Sequence, residues 1–222
     1  MAMRARLLIA PAKRGAGRVI QQLREGLAYT VHTPAVLLVI GLVGIFGTFG
    51  YNFTTALPLL AHDALHLNAE GFGNLTSAMG LGSLISSLVV ATLRTTSQRT
   101  LFIGASAFSA LVGALAASSR YPLSLALMLL IGMASLAFQT SANSLVQLQV
   151  PDQLRGRVMS IYSLLFLGMT PIGGMLTGAM AHRWGIQVAL GVESCACVVG
   201  VLAALIYRRL AHAYGPAAVP GR

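Results

Sequence analysis

Gln139-Thr-Ser-Ala-Asn143-Ser-Leu-Val-Gln147, then Val150-Pro-Asp-Gln-Leu-Arg-Gly-Arg157, then an apolar run closing on Pro171-Ile-Gly-Gly174 and Gly178: this stretch, from Gln139 to Gly185, decides the fold. Val158 to Ala181 holds no charged residue over 24 positions. At about 1.5 Å per residue such a helix crosses a hydrocarbon core of roughly 30 Å. Tyr121 to Pro151 is also free of Asp, Glu, Lys and Arg, so a second crossing leads into the same turn. Pro151 lacks an N–H and disfavours helix at Val150, which stops the incoming helix. The charged residues between the crossings read as a loop. There Asp152 is placed to accept N–H groups of the next helix, and Arg155 and Arg157 to reach helix-end carbonyls and lipid phosphates. The stretch is predicted to be a membrane hairpin turning at a water interface, its loop a hinge or a topology anchor.

Composition agrees. The 222 residues are 56% hydrophobic and 9% charged, with a mean hydropathy of +0.77, whereas soluble domains carry about 25% charged residues. The formal charge of +10 raises the question of nucleic acid. The arginines flank apolar runs and do not cluster with interleaved aromatics, so no nucleic-acid partner is expected and membrane lipid is. Cys195 and Cys197 point to different sides of a helix, which argues against a disulfide or a metal site. The leader lacks the apolar core and small-residue cleavage site of a secretory signal.

In chain order, residues 1–32 read as a basic leader, its first part poorly ordered. From Arg18, the positions Val19, Leu23, Leu27 and Val31 form an apolar stripe. Such a helix either lies on the bilayer surface or is a linker, helical only when packed. Residues 33–209 hold six crossings, at about 35–60, 73–93, 101–118, 122–148, 158–181 and 186–207. Thr33-Pro34 opens the first, Pro58 kinks its far end, and His62 to His66 form a loop. Residues 210–222 are a tail. With alternating sides, thirteen of the fifteen Lys and Arg fall on the side of the two termini and only Arg120 and Arg183 opposite. The positive-inside rule then places both termini in the cytoplasm.

Polar residues inside the crossings are the candidate site. Ser135, Gln139, Asn143 and Gln147 recur at i+4, and Thr48, Asn52 and Thr55 share a face of the first crossing. Lipid cannot satisfy amides, so both stripes face protein or water. They line a solute pathway or bond helices together. Glu193 is the only acidic residue well inside a span, where a charge costs about 2.5–3.5 kcal/mol at the helix centre. It is a possible proton-coupling residue or a structural carboxyl with a partner such as Arg183 or His182. Gly174 and Gly178 suit helix packing. No Ser/His/Asp set, metal-spaced cluster or phosphate loop is present, so no enzyme, cofactor or metal is expected.

Several segments match a known family. Leu23-Arg-Glu-Gly-Leu-Ala-Tyr29 with Pro34, Phe49-Gly-Tyr-Asn-Phe53 with Leu57-Pro58, Val150-Pro-Asp-Gln-Leu-Arg-Gly-Arg-Val-Met-Ser160 and Pro171-Ile-Gly-Gly-Met-Leu-Thr-Gly178 resemble the C-terminal half of major facilitator superfamily transporters. The nearest likeness is to the macrolide and multidrug efflux and enterobactin exporter branch, over residues 18–209. The resemblance implies an all-α bundle equivalent to helices seven to twelve of a twelve-helix fold, with the solute site between halves. It makes the first and fourth crossings cavity-lining and the sixth a peripheral support, which weakens Glu193 as a coupling residue. It also implies a bacterial inner-membrane antiporter exporting a small amphipathic compound by alternating access. Such a half needs a second six-helix half or a second copy. The alternative is a non-transporting membrane subunit or truncated relic that only folds and associates.

Overall fold

The computed structural model describes residues 16–93 and 97–214, without the side chains of 16–20, 22, 93 and 211–214. Within these residues the chain is almost entirely helical, with no strand. The helices are α1 (Ala16–His32), α2 (Pro34–Phe49), α3 (Phe53–Leu59) with a π-helical turn (Leu60–Ala64), α4 (Ala69–Leu93), α5 (Gln98–Ala116), α6 (Tyr121–Gln149), α7 (Asp152–Gly168), α8 (Thr170–Trp184) and α9 (Ile186–Tyr214). Six spans are long and apolar enough to cross a membrane: Pro34–Ala64, Ala69–Thr92, Gln98–Ala116, Tyr121–Gln149, Asp152–Trp184 and Ile186–Leu210. The first and fifth are each built from two helices in line.

Local chemistry sets the ends. Pro34 and Pro122 stand in first turns, where no intrahelical N–H is required. The Asn68 side chain accepts from Gly71 N at 3.0 Å, and Ser97 Oγ from Thr100 N at 3.3 Å, capping α4 and α5. Gly185, at φ 88°, turns α8 back into α9, a left-handed conformation that favours glycine.

Packing is tightest between α4 and α6. A Cβ on Gly82 would lie 1.9 Å from Leu129 O, and one on Gly132 would lie 2.1 Å from Met79 O. Only paired glycines let these backbones meet, and Ser83 Oγ, 3.2 Å from Gly132 O, sits across the contact. The core then fills with aromatics. Phe46 stacks on Phe138 at 4.4 Å between centroids and tilts against Phe108 at 5.6 Å, joining α2, α5 and α6. Leu81, Leu84, Leu88, Met175 and Val199 stay exposed, an apolar exterior suited to lipid.

Three sequence expectations change. Asp152, Arg155 and Arg157, read as a cytoplasmic loop motif, lie on the first two turns of α7. Only Val150 and Pro151 stand between α6 and α7, because Pro151 ends one helix and is compatible with starting the next. The segment around His62 is no loop either. The first span continues through Pro58 and closes in the π-helical turn, with Leu65 N donating to Leu60 O at 3.0 Å, before His66 reverses the chain at φ 52°. The last helix runs past Arg209 to Tyr214. The expectations for residues 1–15, for Arg94 and for the tail beyond Tyr214 lie outside the described residues.

Candidate functional site

The first span breaks at Gly50-Tyr51-Asn52, and the polar side chains gather around that break. Gly50 N and Tyr51 N both donate to Phe46 O, at 2.7 and 3.0 Å, and the helix restarts with Thr55 N and Ala56 N donating to Asn52 O. A break inside a membrane frees backbone carbonyls that lipid cannot satisfy. Asn52 answers this directly: its Nδ2 donates to Thr48 O at 2.7 Å.

The same amide reaches Glu193 Oε1 at 3.3 Å. Thr177 of α8 completes the group, its Oγ1 in hydrogen-bond contact with Glu193 Oε1 and 2.9 Å from Gly173 O. Glu193 is 3% exposed, Asn52 2% and Thr177 fully buried. Asn52 Oδ1 is buried with no hydrogen-bond partner. Close approach makes the group possible, since a Cβ on Gly173 would lie 2.0 Å from Thr48 O and 2.5 Å from Asn52 Oδ1. Thr55 continues the contact against Gly174, whose added Cβ would sit 3.0 Å from Thr55 Oγ1. The suggested partners of Glu193, Arg183 and His182, are therefore replaced by Asn52 and Thr177. The reason is the hairpin at Gly185, which sets positions 177 and 193, equidistant from the turn, side by side.

A second polar group lies along α6. Tyr51 Oη donates to Ser135 O at 2.8 Å, and its ring packs on Phe108 at 5.5 Å and edge-on to Phe166 at 4.9 Å. Phe166 in turn stacks with Tyr162 at 6.2 Å. The Tyr162 hydroxyl is buried and makes no well-formed hydrogen bond, with Asn143 the polar side chain beside it. Gln147 Nε2 donates to Asn143 Oδ1, and Gln139 is half-buried one turn toward Ser135.

The two sequence stripes thus serve different neighbours. Asn52 and Thr55 turn toward α8 and α9 and Asn143 toward Tyr162 of α7, whereas Thr48 Oγ1 and Ser135 Oγ bond back to Gly44 O and Gly132 O and offer only their backbone carbonyls to α8 and to Tyr51. Tyr51 and Asn52, adjacent in the chain, join the two groups. Sequence reasoning passed over Tyr51, Tyr162 and Thr177. A signal existed for Thr177, a hydroxyl placed symmetrically with Glu193 about Gly185; Tyr51 sits beside the last of four regularly spaced glycines.

At the end of the bundle where α6 meets α7, the basic residues tie helices together. Arg155 Nε donates to Gln147 O at 3.2 Å, the helix-end carbonyl contact expected of it, and its Nη2 pairs with Asp152 Oδ1 at 2.6 Å. Arg157 pairs with Glu25 of α1. Gly26 lies under Arg157, and Tyr29 Oη donates to Gln149 O at 3.2 Å. So α1 packs through its Gly26 and Thr30 face, and its stripe of Leu23, Leu27 and Val31 stays outward, 39–54% exposed.

No curated protein and no solved structure matches the chain. A family model described as transmembrane secretion effector matches residues 3–214. With six membrane-capable helices and no strand among the described residues, the chain belongs to that family, a transmembrane transporter family of the major facilitator superfamily.

Proposed function

We propose that these six spans form one half of a secondary-active exporter that moves a small amphipathic compound outward by alternating access, completed by a second six-helix unit. The observation that carries this reading is the α6–α7 seam. Tyr162 Oη is buried without a hydrogen-bond partner on a seam that also carries half-buried Asn143 and Gln139, and amphipathic solutes bring both ring surface and hydrogen-bonding groups. The span Asp152–Trp184 is also the least buried of the six, at 11%, and presents Gly156, Ser160 and Ser163 outward. Small residues set among exposed Leu164 and Leu167 let a partner helix approach closely. The coupling ion is a proton in this reading, and both termini face the cytoplasm of a bacterial inner membrane, as the charge count supports.

The test is dye efflux from cells carrying the complete transporter, with Gln139→Leu, Asn143→Leu and Tyr162→Phe. Each variant should insert normally and lose most efflux. Unchanged efflux in all three removes the seam from the pathway.

The burial of Asn52 at 2%, bonded to its own span and to α9, favours a second reading for part of the site. Thr48, Asn52 and Thr55 act there as interhelical glue, as they would in a subunit that folds and associates without carrying solute. Efflux that survives loss of the seam, with assembly intact, would select that reading.

A further inference from the structure

We propose that Glu193 is a proton-binding site, holding a proton on its carboxyl in the conformation described here and releasing it only when α8 and α9 part from the break in the first span. The count of donors and acceptors leads there. Thr177 has one hydroxyl hydrogen but touches two acceptors, Gly173 O and Glu193 Oε1. Asn52 Oδ1, on the amide that already contacts the carboxyl, accepts nothing. With an ionised carboxylate this group has too few hydrogens and a spare acceptor. One proton from water, converting the carboxylate to a neutral acid with no other reactant, supplies a hydrogen for one of these contacts. The acid O–H then donates to Thr177 Oγ1 or Asn52 Oδ1, while Thr177 keeps its bond to Gly173.

Among the described residues the surroundings supply no counter-charge. The α2–α3 span presents Thr48 and Asn52, α8 presents Thr177, and α5 reaches the neighbouring Ser194 through Ser109 O at 2.8 Å. On α9 itself the titratable neighbour is the Cys197 thiol, which in turn faces Tyr51. The π-helical turn carries His62 and Asp63, exposed and bonded to each other at 2.6 Å. No Lys or Arg is seen to pair with Glu193 among the described residues.

Releasing the proton leaves a charge that this apolar core cannot hold, so water must enter and the helices must separate. Use of that step as the coupling event rests on the transporter reading; the proton site itself does not. Infrared spectroscopy of the purified chain in lipid nanodiscs tests it. At neutral pH the wild type should show a protonated-carboxyl C=O band that Glu193→Gln abolishes and that Thr177→Val shifts, because the acid loses a partner. As a check independent of band assignment, Glu193→Gln should match the wild type in thermal stability at neutral pH. It should exceed the wild type at alkaline pH, where the wild type ionises. Absence of a Glu193-dependent acid band overturns the proposal, as does a variant clearly less stable than the wild type at every pH. A band present without efflux in the complete transporter sinks the exporter reading alone; efflux without the band sinks the proton site alone.

Discussion

Two alanines on one helix should have opposite effects. At Gly173 an added Cβ meets Thr48 O at 2.0 Å and Asn52 Oδ1 at 2.5 Å, so backbone is struck. A carbon–oxygen contact needs about 3.3 Å, which forces α8 and the first span apart by roughly 1.3 Å. The Asn52–Glu193 bond, already 3.3 Å, does not survive such a shift. Overpacking costs about 1–3 kcal/mol and a buried polar group losing its partner about 1–3 more. The better helix propensity of alanine returns about 1 kcal/mol. Gly173→Ala should therefore destabilise by roughly 1–5 kcal/mol on balance. At Gly178 the nearest atom is Thr55 Cγ2 at 4.0 Å, an ordinary contact, so Gly178→Ala is neutral or stabilising. The assay is reversible unfolding in mixed micelles, followed by fluorescence of Trp184, the single tryptophan, at the end of α8. If the two variants unfold together, or Gly178→Ala is the weaker, the close approach of α8 to the break is wrong.

Further expectations concern the ties between helices. Tyr51→Phe keeps the stacking on Phe108 and Phe166 and removes one bond to Ser135 O, so the same unfolding assay should register a loss of about 0.5–1.5 kcal/mol. The Glu25–Arg157 pair has side chains 41% and 32% exposed, so a double-mutant cycle should give a coupling of only about 0.2–1 kcal/mol, shrinking in high salt. A cysteine replacing Asp63 should react with an impermeant maleimide added to whole cells, whereas one at Gln98 should react only after permeabilisation. The reverse pattern would invert the topology argued from charge.

The six spans were legible because membrane helices must be apolar for their full length, and Arg99, Arg120 and Arg183 mark ends that lipid would reject. The break at Gly50-Tyr51-Asn52 was not. Thr48, Asn52 and Thr55 fit helical spacing, and nothing local distinguishes a polar face from a side chain folded back to cap a freed carbonyl. The start of α7 at Asp152 was missed because a charged cluster after a proline reads as loop, while the proline permits an immediate restart. For Glu193, the acidic residue well inside a span, the sequence suggests the wrong neighbours. Its near-sequence cations Arg183 and His182 lie at the water end of the hairpin, whereas Asn52, 141 positions away, reaches it only because Gly173 lets the helices meet.

Tyr51 and Asn52 share a peptide bond but hold opposite sides of the site, and that arrangement has a measurable consequence. Tyr51 fixes the break to α6 and, through Phe166, to the Tyr162 seam; Asn52 fixes it to the Glu193 carboxyl. A continuous helix would transmit little from one face to the other, because its backbone bonds resist local rotation. At a break the two residues rotate together, so movement of Tyr51 in the seam displaces the Asn52 amide from the carboxyl. The physical warrant for such coupling is energetic, not spatial. Tyr162→Phe and Glu193→Gln lie on different helices without shared contact, so independent effects should add within about 0.3–0.5 kcal/mol. Coupling through the break predicts a clear departure from additivity, and Gly50→Ala, which pushes against Phe46 O at 2.9 Å, should change that departure. Strict additivity both with Gly50 in place and in Gly50→Ala would mean that the seam and the carboxyl are separate features of the bundle.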